Sequence, residues 1–107
     1  MGDRGNIKIT DGQSTVFLYT HWKGSALPNI VKRTMASQRA RNRWGNGSYL
    51  ARILFDDLLD GDRGESGAGI SSVIGDGDDQ VLHINVDRQY VTWRDGKPKT
   101  FAAFAGK

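Results

Sequence analysis

Val16-Phe17-Leu18-Tyr19-Thr20-His21-Trp22-Lys23-Gly24 is the stretch on which the fold turns. Four of its first five residues are β-branched or aromatic, and the five read as a β-strand. Its last four put an imidazole, an indole, an ammonium and a glycine in a row. A helix pattern follows at once. Val16, Leu18 and Thr20 share one face of the strand and Phe17, Tyr19 and His21 the other, because side chains alternate. Large groups on both faces predict a strand covered on both sides. A strand that stops at a helix N-terminus presents side chains beside unpaired backbone N–H groups. Such corners bind anions, and this one is the predicted functional site.

Working outward, Gly5 to Thr10 alternates Ile7 and Ile9 with polar residues, which predicts a half-buried strand. Asp11-Gly12 then makes the turn of a hairpin into Thr15–Thr20. On the other side, Ser25 is the expected N-cap and Pro28 suits a first helical turn. Leu27, Ile30, Val31, Met35 and Gln38 keep helical spacing up to about residue 41. Arg41 would point back to the apolar side, so a break is expected near 40–42. Trp44–Gly47 reads as a loop, with Asn46 or Ser48 capping a second helix over 49–59 and Gly61 ending it. Three further strands are expected at 70–74, 80–86 and 90–93, then a short closing strand or helical turn at 100–105. The order ββααβββ predicts one α+β domain over 1–107, with an antiparallel sheet of about five strands and two helices on one face.

Charge is segregated along the chain. From residue 21 to 55 there are seven bases and no acid; from 56 to 79 there are eight acids and one base, Arg63. The net charge of +3 hides this asymmetry. A basic half favours phosphate-bearing partners. Asp56, Asp57 and Asp60 sit where the second helix ends, against its dipole, so a base should lie nearby.

Several chemistries are disfavoured. There is no cysteine, and His21 and His83 are the two histidines, which argues against structural zinc. The runs 60–65 and 76–79 lack calcium-loop spacing. No nucleophile elbow, phosphate loop or dinucleotide fingerprint occurs. No cofactor and no metal are expected, and enzymatic activity is not. No apolar run reaches the ~20 residues of a membrane span. The residues 1–6 lack a signal-peptide core, and Asn6 replaces the Ser or Thr that myristoylation prefers. A cytoplasmic location is expected. What converges is nucleotide chemistry. Tyr19, His21, Trp22 and Trp44 offer stacking or hydrogen-bonding surfaces, and Lys23, Arg39, Arg43 and Arg52 offer partners for phosphate.

Met1-Gly2-Asp3-Arg4-Gly5-Asn6-Ile7, Tyr19-Thr20-His21-Trp22-Lys23-Gly24, Arg43-Trp44 and Tyr49-Leu50-Ala51-Arg52-Ile53 resemble a family of small uncharacterised proteins of bacteriophages, other mobile elements and bacterial genomes. Beyond residue 60 only Gly67-Ala68-Gly69-Ile70-Ser71 echoes it. The resemblance carries over no site residues. It implies a small cytoplasmic accessory protein of phage type. By analogy, since many such proteins counter host defence, the resemblance implies sequestering of a nucleotide signal or occlusion of a protein complex. The leading expectation is a non-enzymatic sponge for an anionic nucleotide-like ligand. The alternatives are an anti-CRISPR-like inhibitor acting through protein contact, with acids of 56–79 mimicking a phosphate backbone, and a general nucleic-acid binder. A homo-oligomer is expected, because a small sheet exposes edges.

Overall fold

A computed structural model of the chain describes residues 2–59 and 67–106. The expectations on Asp60, Gly61, Asp62, Arg63 and Glu65 fall outside the described residues. The fold is α+β. Strands β1 (Gly5–Asp11) and β2 (Ser14–Thr20) form the expected hairpin. Three helices follow: α1 (Leu27–Ala36), α2 (Gln38–Arg41) and α3 (Gly47–Leu58). Then come β3 (Ala68–Ser71), β4 (Val81–Asn85), β5 (Tyr90–Trp93), β6 (Lys99–Thr100) and α4 (Phe101–Ala105). No helix among the described residues is long and apolar enough to cross a membrane.

The sheet has six strands in the order β3-β2-β1-β4-β5-β6. It is mixed rather than antiparallel, because β1 and β4 run parallel, with Ile7 opposite Leu82 and Ile9 opposite Ile84. The parallel pair follows from the path of the chain. β3 adds to the outer edge of β2, and residues 72–80 then carry the chain past β2 to the free side of β1. Lys99 and Thr100 add the short sixth strand beside β5.

The alternation of apolar residues builds one core. Ile7, Ile9, Leu18, Leu82, Ile84 and Val91 meet Leu27, Val31, Met35, Leu50, Leu54, Leu58 and Phe101 of the helices, all essentially inaccessible to water. Each such side chain contributes about 1.5–3 kcal/mol relative to exposure. Among the strands, every buried side chain except Asn6 faces the helices. β2 is therefore covered by helices on one side only: Leu18 is buried, whereas Phe17 and Tyr19 on the opposite face are half-buried.

The first helical segment divides earlier than its periodicity predicts. Ser37 takes an extended conformation (ψ 151°), and its hydroxyl donates to Thr34 O at 2.6 Å and accepts from Ala40 N at 3.4 Å. That local bonding competes with the helix ladder and starts a new one-turn helix. Arg41 meets no buried acid among the described residues. Its Nε donates to Ala36 O and its guanidinium lies 5.1 Å from the Trp44 ring centroid. The ring face partly offsets the burial of its Nη2, which has no hydrogen bond. Asn46 caps α3 as expected, accepting from Tyr49 N at 3.3 Å.

Candidate functional site

The corner after β2 is built around Gly24. Its N–H donates to Asp3 O at 2.7 Å, and a Cβ there would lie 2.4 Å from Arg4 O, so only glycine fits. Ser25 does not act as the helix cap. Its hydroxyl donates to the Asp3 carboxylate, and its N–H reaches the same carboxylate at 3.0–3.1 Å. Gln80 Nε2 adds a third donor at 2.8 Å. The Ser25 hydroxyl, then Gln80, then the Ser25 N–H hold the Asp3 carboxyl below the usual aspartate range. The anion at this corner is the chain's own Asp3. The prediction of an open anion site at the helix approach is corrected accordingly.

The eight residues predicted to bind ligand separate into three groups. Tyr19, His21 and Trp22 stay together: Tyr19 OH lies 3.2 Å from His21 Nδ1, and the His21 and Trp22 rings meet edge-on at 4.8 Å. Trp22 is half exposed. Lys23, Arg39 and Arg52 gather at the last turns of α3. Lys23 Nζ donates to Leu58 O at 2.9 Å, Arg39 pairs with Asp57 at 2.5 Å, and Arg52 pairs with Asp56 at 3.4 Å. This satisfies the demand of the C-terminal aspartates for a base. It also means that the basic block is not acid-free in space. Arg43 and Trp44 lie before the opposite end of α3. Arg43 stacks 4.1 Å over the Tyr49 ring. Trp44 packs edge-on against Phe101 and donates from its indole to Met35 O at 3.3 Å. Trp44 thus closes the core.

The face of the sheet without helices carries the residues that sequence reasoning missed. The pairing register sets three rows across it. One runs Ser71, Phe17, Lys8, His83, Thr92; a second runs Thr15, Thr10, Asn85, Tyr90, Thr100; a third begins Gly69, Tyr19, Asn6, Val81. None of these residues is a carboxylate. Lys8 thus lies between the Phe17 ring and the His83 imidazole. Burial and then the Lys8 charge hold His83 below the ordinary histidine range. His83 Nε2 is 3.0 Å from Thr10 Oγ1.

The 72–80 crossover bounds this face at one end. Asn6, wholly buried, clamps it: Nδ2 donates to Gly75 O at 3.3 Å and Asp76 O at 3.1 Å, and Oδ1 accepts from Gly75 N at 3.1 Å. Gly75 passes so close to Tyr19 that a Cβ would sit 2.9 Å from Tyr19 Cδ1. Between crossover and sheet lies a groove of about 440 Å³, lined by Tyr19, Gly69, Ile70, Ser71, Gly75 and Asp76. The Asp76 carboxylate is engaged by Arg4 at 3.1 Å. No group of three or more potential metal ligands occurs among the described residues. No family model, curated protein or solved structure matches the chain.

Proposed function

We propose that this protein is a non-enzymatic binding module for an anionic, nucleotide-like ligand, held on the helix-free face of the sheet. The observation that carries the reading is the row Phe17–Lys8–His83, uncovered by helices and free of carboxylates, next to the Tyr19 groove. A base stacks on Phe17 or Tyr19, which is worth about 1–3 kcal/mol per base. Lys8 supplies the cation for phosphate. Tyr19, His21 and Trp22 remain ligand contacts from the original eight. Lys23, Arg39 and Arg52 already serve the end of α3, and Trp44 the core. The phage-type role, sequestering a nucleotide signal of host defence, rests on the resemblance of the first half of the chain.

Native mass spectrometry against a panel of cyclic and linear nucleotides tests this. A defined adduct that is lost in Phe17→Ala and in Lys8→Ala supports it. Adducts that persist in both variants, or a bare spectrum across the panel, overturn it.

One observation favours a second reading. Ile70, Val73 and Ile74 are 61%, 65% and 44% exposed on the short edge strand β3 and the crossover after it. An apolar edge of this kind suits a protein partner or a second copy of the chain. The same spectra give the oligomeric state.

A further inference from the structure

A second cavity lies on the helix side of the sheet, where β6 stops after two residues. It holds about 250 Å³ and is walled by Pro28, Val91, Trp93 and Phe104, with Lys97 and Lys99 at its rim. Val91, Trp93 and Lys99 face the helices because Val91 pairs with Ile84, Trp93 with Leu82 and Lys99 with Val91. Trp93 and Phe104 pack against the core and stay partly accessible. They are thus ordered apolar surfaces left open beside two ammonium groups.

The ion pairs among the described residues belong to Arg4, Arg39 and Arg52, and none involves Lys97 or Lys99. The turn that carries Lys97 also holds Arg94, whose guanidinium lies 6.0 Å from the Trp93 ring centroid, and Asp95, neither of which lines the cavity. The first turn of α1, which carries Pro28, has no acidic residue to offset the two lysines.

We infer that this cavity binds a small anion built on a single apolar ring, the ring against Trp93 and Phe104 and the anionic head between Lys97 and Lys99. The apolar walls select the ring by burial. The two lysines select the head through charge-assisted hydrogen bonds. The size sets the class: 250 Å³ falls below the roughly 300–1,000 Å³ of sites for drug-sized ligands, so one ring with one head fills it. This site is separate from the proposed nucleotide face, which lies on the other side of the sheet.

The test is an NMR titration of the full ¹⁵N-labelled chain with phenyl phosphate, read at the Trp93 indole N–H and the Phe104 amide. Saturable shifts at both are expected. Phenol and inorganic phosphate, each lacking half of the ligand, should bind about tenfold or more weakly. Benzoate distinguishes a carboxylate head, which it would match, from a phosphate ester, which it would not. Lys97→Ala with Lys99→Ala, both at exposed positions, should weaken phenyl phosphate about tenfold or more and leave the rest of the spectrum in place. Three results overturn the inference: no saturable shift up to about 10 mM, well above ordinary ligand affinities; phenol binding as tightly as phenyl phosphate; or shifts confined to Lys8, Phe17 and Tyr19.

Discussion

Asn6→Ala isolates the clamp on which the groove depends. The wild-type side chain makes three hydrogen bonds to Gly75 and Asp76, at 3.1, 3.1 and 3.3 Å, and is itself fully buried. Each such bond nets about 0.5–1.5 kcal/mol. Gly75 is half-buried and Asp76 exposed, so water can reach part of what alanine abandons. A loss of about 3 kcal/mol is expected, the sum of three typical bonds with no added penalty for a stranded buried group. In urea, with a slope of roughly 1–2 kcal/mol/M, the midpoint should fall by about 1.5–3 M. On heating, about 10–20 °C should be lost. Amide exchange should accelerate at Gly75 and at Asp76 more than at Ile9 or Ile84. A variant within about 0.5 kcal/mol of wild type, a value ordinary for surface substitutions, would refute the reasoning and mean that the crossover is held by something other than Asn6.

Three further outcomes are expected. Gly24→Ala forces a Cβ to 2.4 Å from Arg4 O, so the N-terminal segment must shift; a loss of at least about 2 kcal/mol by calorimetry is expected, at the upper part of the range for overpacking. Arg39→Ala removes a half-exposed pair with Asp57, which keeps its bond from Thr34 Oγ1, so denaturation should register about 0.5–1 kcal/mol and nucleotide binding should be unchanged. His83 titrates below its ordinary value, so acid penalises the fold: stability is full above the unfolded histidine pKa of about 6.5 and declines as pH falls through that value toward the lower native one. A phosphate bound beside Lys8 reverses the sign for binding, since it favours the imidazolium. Calorimetric affinity should therefore rise as pH drops from about 7.5 to 5.5, and His83→Gln should flatten the profile.

The parts of the fold governed by local rules were legible in the sequence. The Asp11-Gly12 hairpin, the Asn46 cap and the core stripe of α3 follow from turn chemistry, capping and 3.6-residue spacing. The β1–β4 parallel pair was not, because nothing near Ile7 announces Leu82 as its neighbour. The site suffered from the same gap. Phe17 and Tyr19 were visibly on one face of β2, and the alternation of 81–86 sets His83 on the side of β4 opposite Leu82, Ile84 and Val86. Only the register puts Lys8 between Phe17 and His83. The arginines misled for the opposite reason. Segregation along the chain suggested free cations, whereas folding brings Asp56 and Asp57 back against Arg39 and Arg52. The Asp3 carboxylate at the Ser25 corner likewise lies 22 positions from its donor, beyond any local pattern.

The parallel seam also sets a clock for synthesis. Ile7 and Leu82 are 75 positions apart in the chain, and both are wholly buried once paired. At about 5–20 residues per second, β1 emerges from the ribosome roughly 4–15 s before β4. By the end of that interval the segments of the hairpin, α1, α2 and α3 have all emerged without the strand that completes the centre of the sheet. The waiting edge of β1 is a template for any passing strand. A nascent chain stalled near residue 70 should therefore be bound by holdase chaperones, and one stalled with α4 exposed should be released as a folded unit.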